Sequence, residues 1–201
     1  MGQQALASMT ADEFFAWQET QDELYELVDG QPMQMMAGAK RRHDQVTINL
    51  IVAVDARLRG KSCQPTTQDT AIQISATQIR RPDLAIDCGP FADEDYVARD
   101  PRAVFEVLSR STRIFDHTKM LEEYKSLASL RHIVLIDPDS PQIIAFQRGS
   151  DNSWASRAIT GLDAAIAFAD LDFSLPLREI YRDLVFRVKP LLVAGAESRS
   201  G

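Results

Sequence analysis

The sequence predicts a mixed α/β or α+β domain built around one central sheet. Three observations carry that expectation. Two long amphipathic helix patterns, about 42–59 and 116–129, are separated by several short strand-like segments. His132-Ile133-Val134-Leu135-Ile136 is a nearly continuous apolar run of strand length, the pattern of a strand buried on both faces. Asp29-Gly30, set between two short strand-like segments, is a strong two-residue hairpin signal. A length of 201 residues favours one domain, placed at 1–190, with a small, polar, frayed tail over 191–201.

Thr10-Ala11-Asp12-Glu13 is a capping box, so a short helix should run to about Gln18. Leu24 to Val28 reads as a strand, and the hairpin turn leads into a second one at Met33-Gln34-Met35. From Arg42 to Arg59, Val46, Leu50, Val54 and Leu58 repeat every four residues. Ile48, Ile51 and Val52 widen that stripe, which predicts a largely covered helix. Thr70 to Ile74, Asp83 to Cys88 and Ala103 to Ser109 are strand candidates. Asp116, as N-cap, opens a helix to about Ser129, with Met120, Leu121, Tyr124, Leu127 and Ala128 on one stripe. Gln142 to Gln147 and Trp154 to Ile159 form a hairpin around Gly149-Ser150-Asp151-Asn152, and a last helix starts near Pro176 and runs to about Leu184.

Composition is ordinary for a globular chain, with 45% hydrophobic and 25% charged residues, which excludes a mainly disordered, collagenous or coiled-coil protein. A net charge of −7 excludes a uniformly basic nucleic-acid coat but not a local basic patch. No apolar run approaches the ~20 residues of a membrane span. Met1-Gly2-Gln3-Gln4 has no basic region before an apolar stretch, so no signal peptide is expected. Cys63 and Cys88 stand 25 positions apart outside any metal-type pair. The expectation is neither a disulfide scaffold nor a zinc site, and a reducing cytoplasm as the simplest setting.

Charge is unevenly placed. Seven acids and no base lie between Ala11 and Gly30, whereas Lys40, Arg41, Arg42, Arg57, Arg59 and Lys61 outnumber Asp44 and Asp55 in the next segment. A solvated helix surface is the ordinary reading of the basic segment. The functional reading is phosphate contact by Lys40, Arg41 and Arg42 at a helix start, where free N–H groups also point. His43 shares the face of Val46 and Leu50; it could reach a site or a phosphate, or be a satisfied half-buried histidine.

Three carboxylates sit where strands should be. Asp83 opens an apolar strand after Arg80-Arg81-Pro82, with Pro82 holding Arg81 extended. Glu106 lies mid-strand in Val104-Phe105-Glu106-Val107-Leu108, sharing a face with Val104 and Leu108. A buried, unpaired carboxylate costs several kcal/mol or stays protonated, so Glu106 wants a cation. That cation is either a divalent metal shared with Asp83, which suits magnesium or manganese, or an arginine; an edge position facing water is the remaining reading. Glu26 shares a strand face with Leu24 and Val28 in the same way, or is an exposed edge acid. No Gly-rich phosphate loop, serine elbow or His-Glu-x-x-His helix is present, and nothing supports a cysteine nucleophile.

Taken in order, Met9-Thr10-Ala11-Asp12-Glu13-Phe14, Tyr25-Glu26-Leu27-Val28-Asp29-Gly30, His43, Arg81-Pro82-Asp83, Phe105-Glu106-Val107-Leu108-Ser109-Arg110-Ser111-Thr112, Asp116 through Tyr124 and Ser129-Leu130-Arg131-His132 form a specific series. From about Thr10 to Leu184 the chain resembles the Uma family of putative restriction endonucleases, a branch of the PD-(D/E)XK nuclease superfamily. The resemblance implies a restriction-endonuclease-like mixed central sheet flanked by helices, with an N-terminal helix and hairpin. It implies metal-dependent endonuclease hydrolysis of DNA, with Asp83 and Glu106 holding Mg2+ or Mn2+, Glu26 assisting, a lysine orienting the attacking water, and homodimers as a common state.

The lysine departs from the family pattern. Two residues after Glu106 stands Leu108, and the position four after Asp116 and four before Tyr124 is Met120. The nearest lysine is Lys119, which at about 100° per residue points about 140° away from the centre of the apolar stripe. Lys119 reaches back through an irregular first turn, another base such as Arg113 substitutes, or strong catalysis is lost. The alternative function is therefore a weak or inactive nuclease-fold module that binds nucleic acid or protein.

Overall fold

A computed structural model describes residues 8–35, 40–108 and 116–186. Helix α1 (Ala11–Gln18) starts at the expected capping box, where Thr10 Oγ1 accepts from Glu13 N and the Glu13 carboxylate accepts from Thr10 N. Strands β1 (Tyr25–Val28) and β2 (Gln31–Gln34) make the expected hairpin. Asp29 and Gly30 both take positive φ, 51° and 74°, as a two-residue turn of this hand requires. Helix α2 (Arg41–Leu58) follows, then β3 (Gln64–Thr66), β4 (Ile72–Ser75), β5 (Gln78–Arg80), β6 (Leu84–Asp87) and β7 (Pro101–Val107). Helix α3 (Asp116–Ser126) leads to β8 (His132–Asp137), β9 (Gln142–Arg148), β10 (Trp154–Thr160), β11 (Ala165–Phe168), β12 (Phe173–Pro176) and α4 (Leu177–Ile180).

The central sheet has six strands in the order β10-β9-β8-β7-β6-β3, with β7 and β8 parallel and the other neighbours antiparallel. Its two faces follow the period of two. Leu84, Ile86, Phe105, Val107, Val134 and Ile136 face Val46, Leu50, Val54 and Leu58 of α2, while Ala85, Val104, Ile133 and Leu135 face Tyr124, Leu130 and Ile72. Strand β8 is thus buried on both sides, as its unbroken apolar run predicts.

Several expectations are corrected. Beside the expected central sheet, the described residues form two smaller ones, β2-β1-β5-β4 and β11-β12. Strands β3, β5, β11 and β12 were not expected, because each is three or four residues long and too short for alternation to show. The helix α3 ends at Ser126, and α4 is a single turn, Leu177–Ile180, with its C-cap at Tyr181. Ile48 and Val52 are 45% and 49% exposed, so the outer side of α2 is not covered among the described residues. His132, buried in β8, is partnered: its Nε2 lies 2.5 Å from Asp170 Oδ1.

The cysteines are also corrected: Cys63 and Cys88 form a disulfide, with Cα atoms 4.0 Å apart. The antiparallel pairing of β3 with β6 sets Gln64 opposite Asp87, which makes 63 and 88 the next facing pair. Spacing along the chain carries no signal of such a non-local pairing. No helix among the described residues is long and apolar enough to cross a membrane. The 191–201 tail, Arg113 and the Ser109–Thr112 segment lie outside the described residues.

Candidate active site

Leu84 of β6 pairs with Phe105 of β7. One step back along that antiparallel ladder, Asp83 stands opposite Glu106, and opposed residues of such a pair project to the same face. Asp83 Oδ2 accepts a 2.7 Å hydrogen bond from Val107 N, which fixes the carboxylate against the end of β7. On Asp83's other side, His43 Nε2 from the first turn of α2 lies 3.5 Å from Oδ2. The His43 pKa is raised, first by its hydrogen bond to Asp83 and against the effect of burial.

Glu106 projects toward the apolar layer of Val104, Leu135 and Tyr124, and Tyr124 Oη donates to its Oε1 at 2.8 Å. Burial pushes the Glu106 carboxyl well above the usual glutamate range, and the Asp83 charge pushes it the same way. The Tyr124 bond opposes both, while Glu26 adds further repulsion. Three acids therefore crowd one place, and Glu106 holds its proton to unusually high pH.

Glu26, on β1, is tied down by two donors: Arg81 N at 2.9 Å to Oε1 and Arg80 Nη1 at 2.8 Å to Oε2. Arg80 Nε also donates to Glu123 Oε2 at 2.7 Å, and Gln78 Nε2 donates to Glu123 Oε1 at 2.7 Å. Burial works against the Arg80 charge, but the bonds to Glu123 and Glu26 outweigh it and the pKa is raised. Arg81 is used differently. Its buried guanidinium donates to the carbonyls of Tyr25, Gln68 and Asp69 and clamps that loop to β1. Sequence reasoning missed Arg80, and its only signal there is its place three residues before Asp83.

Lys119 is not brought to the acid pair. Its amine pairs with Asp29 at the hairpin turn and lies 4.0 Å from Glu123 Oε1, and its side chain is 49% exposed. Helix α3 is regular through Lys119, so no irregular turn swings it back. Met120, at the usual lysine position, packs with Tyr124 in the apolar layer. In the basic cluster, Lys40 and Arg41 are exposed, whereas Arg42 is held internally. Its Nε donates to Pro138 O at 2.5 Å, its Nη2 to Val185 O at 3.1 Å, and its guanidinium lies 4.7 Å from the centre of the Phe186 ring. Arg42 is therefore a clamp rather than a free phosphate donor, because those carbonyls already saturate much of its donor fork.

A cavity of about 190 Å³ is lined by Leu108, Leu135, Asp137, Gln142 and Ile144, not by Asp83, Glu106 or Glu26. A larger groove of about 650 Å³, along β4 and 94–99, holds none of these acids. Among the described residues no cluster of three or more metal-type side chains is gathered in holding geometry. Two convergent carboxylates with a third nearby nonetheless fit a hard cation whose remaining ligands are water and phosphate, since magnesium is usually held by one or two carboxylates.

The chain and its fold match a known class. Residues 11–178 match the family model described as Uma2, "Putative restriction endonuclease", and the chain belongs to that family. Two relatives from Synechocystis sp. are similar along most of their length. The uncharacterized protein slr1290 is 27% identical over 180 residues, covering 89% of this chain and 94% of its own. The uncharacterized protein sll1609 is 25% identical over 165 residues, covering 80% and 93%. Among solved structures, a putative nuclease belonging to DUF820 from Anabaena variabilis superposes with a TM-score of 0.66 at 15% identity, covering 86% of this chain and 97% of that one. That likeness shows the fold: a mixed central sheet flanked by helices.

Proposed function

We propose that the protein is a metal-dependent endonuclease that hydrolyses DNA phosphodiester bonds at Asp83 and Glu106, using Mg2+ or Mn2+. The observation that carries this reading is the Asp83–Glu106 pair, facing each other from adjacent strands, with burial and the neighbouring Asp83 charge both disfavouring the Glu106 anion that a cation would favour. Asp83 and Glu106 would hold the divalent cation, whose chemistry there would be Lewis-acid polarisation of the phosphate and a lowered pKa of the attacking water. The chain's own residues do the rest. Val107 N–H and His43 orient Asp83, the Tyr124 hydroxyl orients Glu106, and Glu26 adds negative charge that favours a cation. Exposed Lys40 and Arg41 at the start of α2 would contact backbone phosphates, on the same helix as His43.

The test is nicking of supercoiled plasmid with Mg2+ or Mn2+. Asp83→Asn and Glu106→Gln, which keep the shape of the side chains, should each lower the rate by at least ~100-fold, the scale of losing a transition-state charge contact. Wild-type rates in both variants would remove the reading. One observation favours a second reading, a nuclease-fold module with weak or no catalysis: Met120 fills the lysine position and Lys119 is held at Asp29. Tight metal binding without turnover would select it.

A further inference from the structure

We propose that Arg80 is the positioning cation of this site: forked between Glu26 and Glu123, it fixes Glu26 beside the Asp83–Glu106 pair and takes the electrostatic place that Lys119 does not reach. The inference rests on the reading of the acid pair given above.

The geometry is that of a planar fork. Arg80 Nη1 meets Glu26 Oε2 at 2.8 Å and Nε meets Glu123 Oε2 at 2.7 Å, with its side chain only 12% exposed. Two carboxylates on one guanidinium, mostly out of water, leave it little rotational freedom, so both acids are located by it. Glu123 is in turn anchored by Gln78, and the same helix turn carries Tyr124, which donates to Glu106. A continuous bonded path thus runs from β1 through β5 to α3 and back to the acid on β7. Lys119, by contrast, neutralises Asp29 at the outer hairpin turn.

Arg80 touches no reacting atom in this arrangement; it acts through Glu26. Removing its charge while leaving the Glu26 side chain in place makes the cluster more negative but less ordered. Metal affinity and turnover should then move in opposite directions, which loss of a merely structural contact would not produce.

The experiment compares wild type, Arg80→Lys and Arg80→Gln as full chains. Arg80→Gln removes the positive charge while leaving both of its carboxylate partners, Glu26 and Glu123, in place. Mn2+ binding is read by calorimetry, plasmid nicking at saturating Mn2+ as rate, and folding by thermal melting. We expect Arg80→Gln to bind Mn2+ several-fold more tightly and nick at least ~10-fold more slowly, and Arg80→Lys to keep the wild-type affinity while losing most of the rate. Folded variants with unchanged affinity and rate overturn the proposal and leave the nuclease reading standing. A parallel fall in affinity, rate and melting temperature assigns Arg80 a structural role only, which also overturns it. Wild-type protein that binds Mn2+ without nicking removes the nuclease reading, while the shift in affinity still decides for or against Arg80. Absence of Mn2+ binding by the wild type overturns both.

Discussion

At Glu106, burial and the neighbouring Asp83 carboxylate favour the protonated acid, whereas a bound cation favours the anion. The metal-free fold therefore carries a cost at this residue. Because the folded pKa lies above the ordinary value of 4.5, the stabilising contribution of Glu106 is full below that value and is lost as pH rises toward the folded pKa. Glutamine keeps an oxygen for the Tyr124 hydroxyl and removes the ionisable group. Glu106→Gln should melt ~2–4 °C above wild type near pH 8, corresponding to about 1 kcal/mol, and the gap should close near pH 5. Melting curves of metal-free protein across that range check this; parallel pH profiles for the two proteins would show that Glu106 is not the strained group. The same substitution should slow the proposed cleavage by at least ~100-fold, the trade of stability against activity expected at a charged site.

The β1–β2 hairpin shows how an element can be set by one backbone requirement. Gly30 has φ +74°, its carbonyl accepts from Met9 N at 2.8 Å, and its N–H donates to Thr77 O at 2.9 Å. A Cβ there would lie 1.9 Å from Ser8 Oγ and 3.2 Å from Met9 O. Gly30→Ala should therefore cost about 1–3 kcal/mol, combining left-handed strain with the displacement of the segment before α1. Because Asp29 and Glu26 belong to the same hairpin, the loss should be read by urea unfolding together with Mn2+ affinity. An unchanged midpoint would mean that the turn relaxes without involving its neighbours. Helix α2 is set by packing instead. Its buried face is the every-fourth-residue stripe, but apolar Ile48 and Val52 lie outside that stripe and stay exposed, so apolar character alone overstates burial.

Across the whole molecule, the central sheet is closed at one edge by β3, and the Cys63–Cys88 disulfide ties that edge strand to β6, whose other end leads back to Asp83. A crosslink spanning 25 residues restricts the unfolded chain by ~3 kcal/mol in the loop-entropy account. Cys63→Ser/Cys88→Ser should lower the denaturant midpoint accordingly under oxidising conditions, and wild type treated with reductant should match the double variant. Coincident curves for oxidised wild type and variant would show that the edge strand is held by its ladder alone.

Much of this architecture was legible because its signals are local. The Thr10–Glu13 capping box, the Asp29-Gly30 turn, the period-four stripe of α2 and the doubly buried β8 each express a backbone rule within a few residues. The acids Asp83, Glu106 and Glu26 stood out for a related reason, as charges placed where apolar alternation leaves no solvent. What the chain alone did not determine is which cation meets them. Arg80 and Lys119 are both basic residues near the right motifs, and only the packing of α3 against the second sheet aims one at Glu26 and the other at Asp29. The same holds for the Cys63–Cys88 bond and the short strands β3, β5, β11 and β12. Each depends on which distant segment lies alongside, and a contact between residues tens of positions apart leaves no periodic trace in either one.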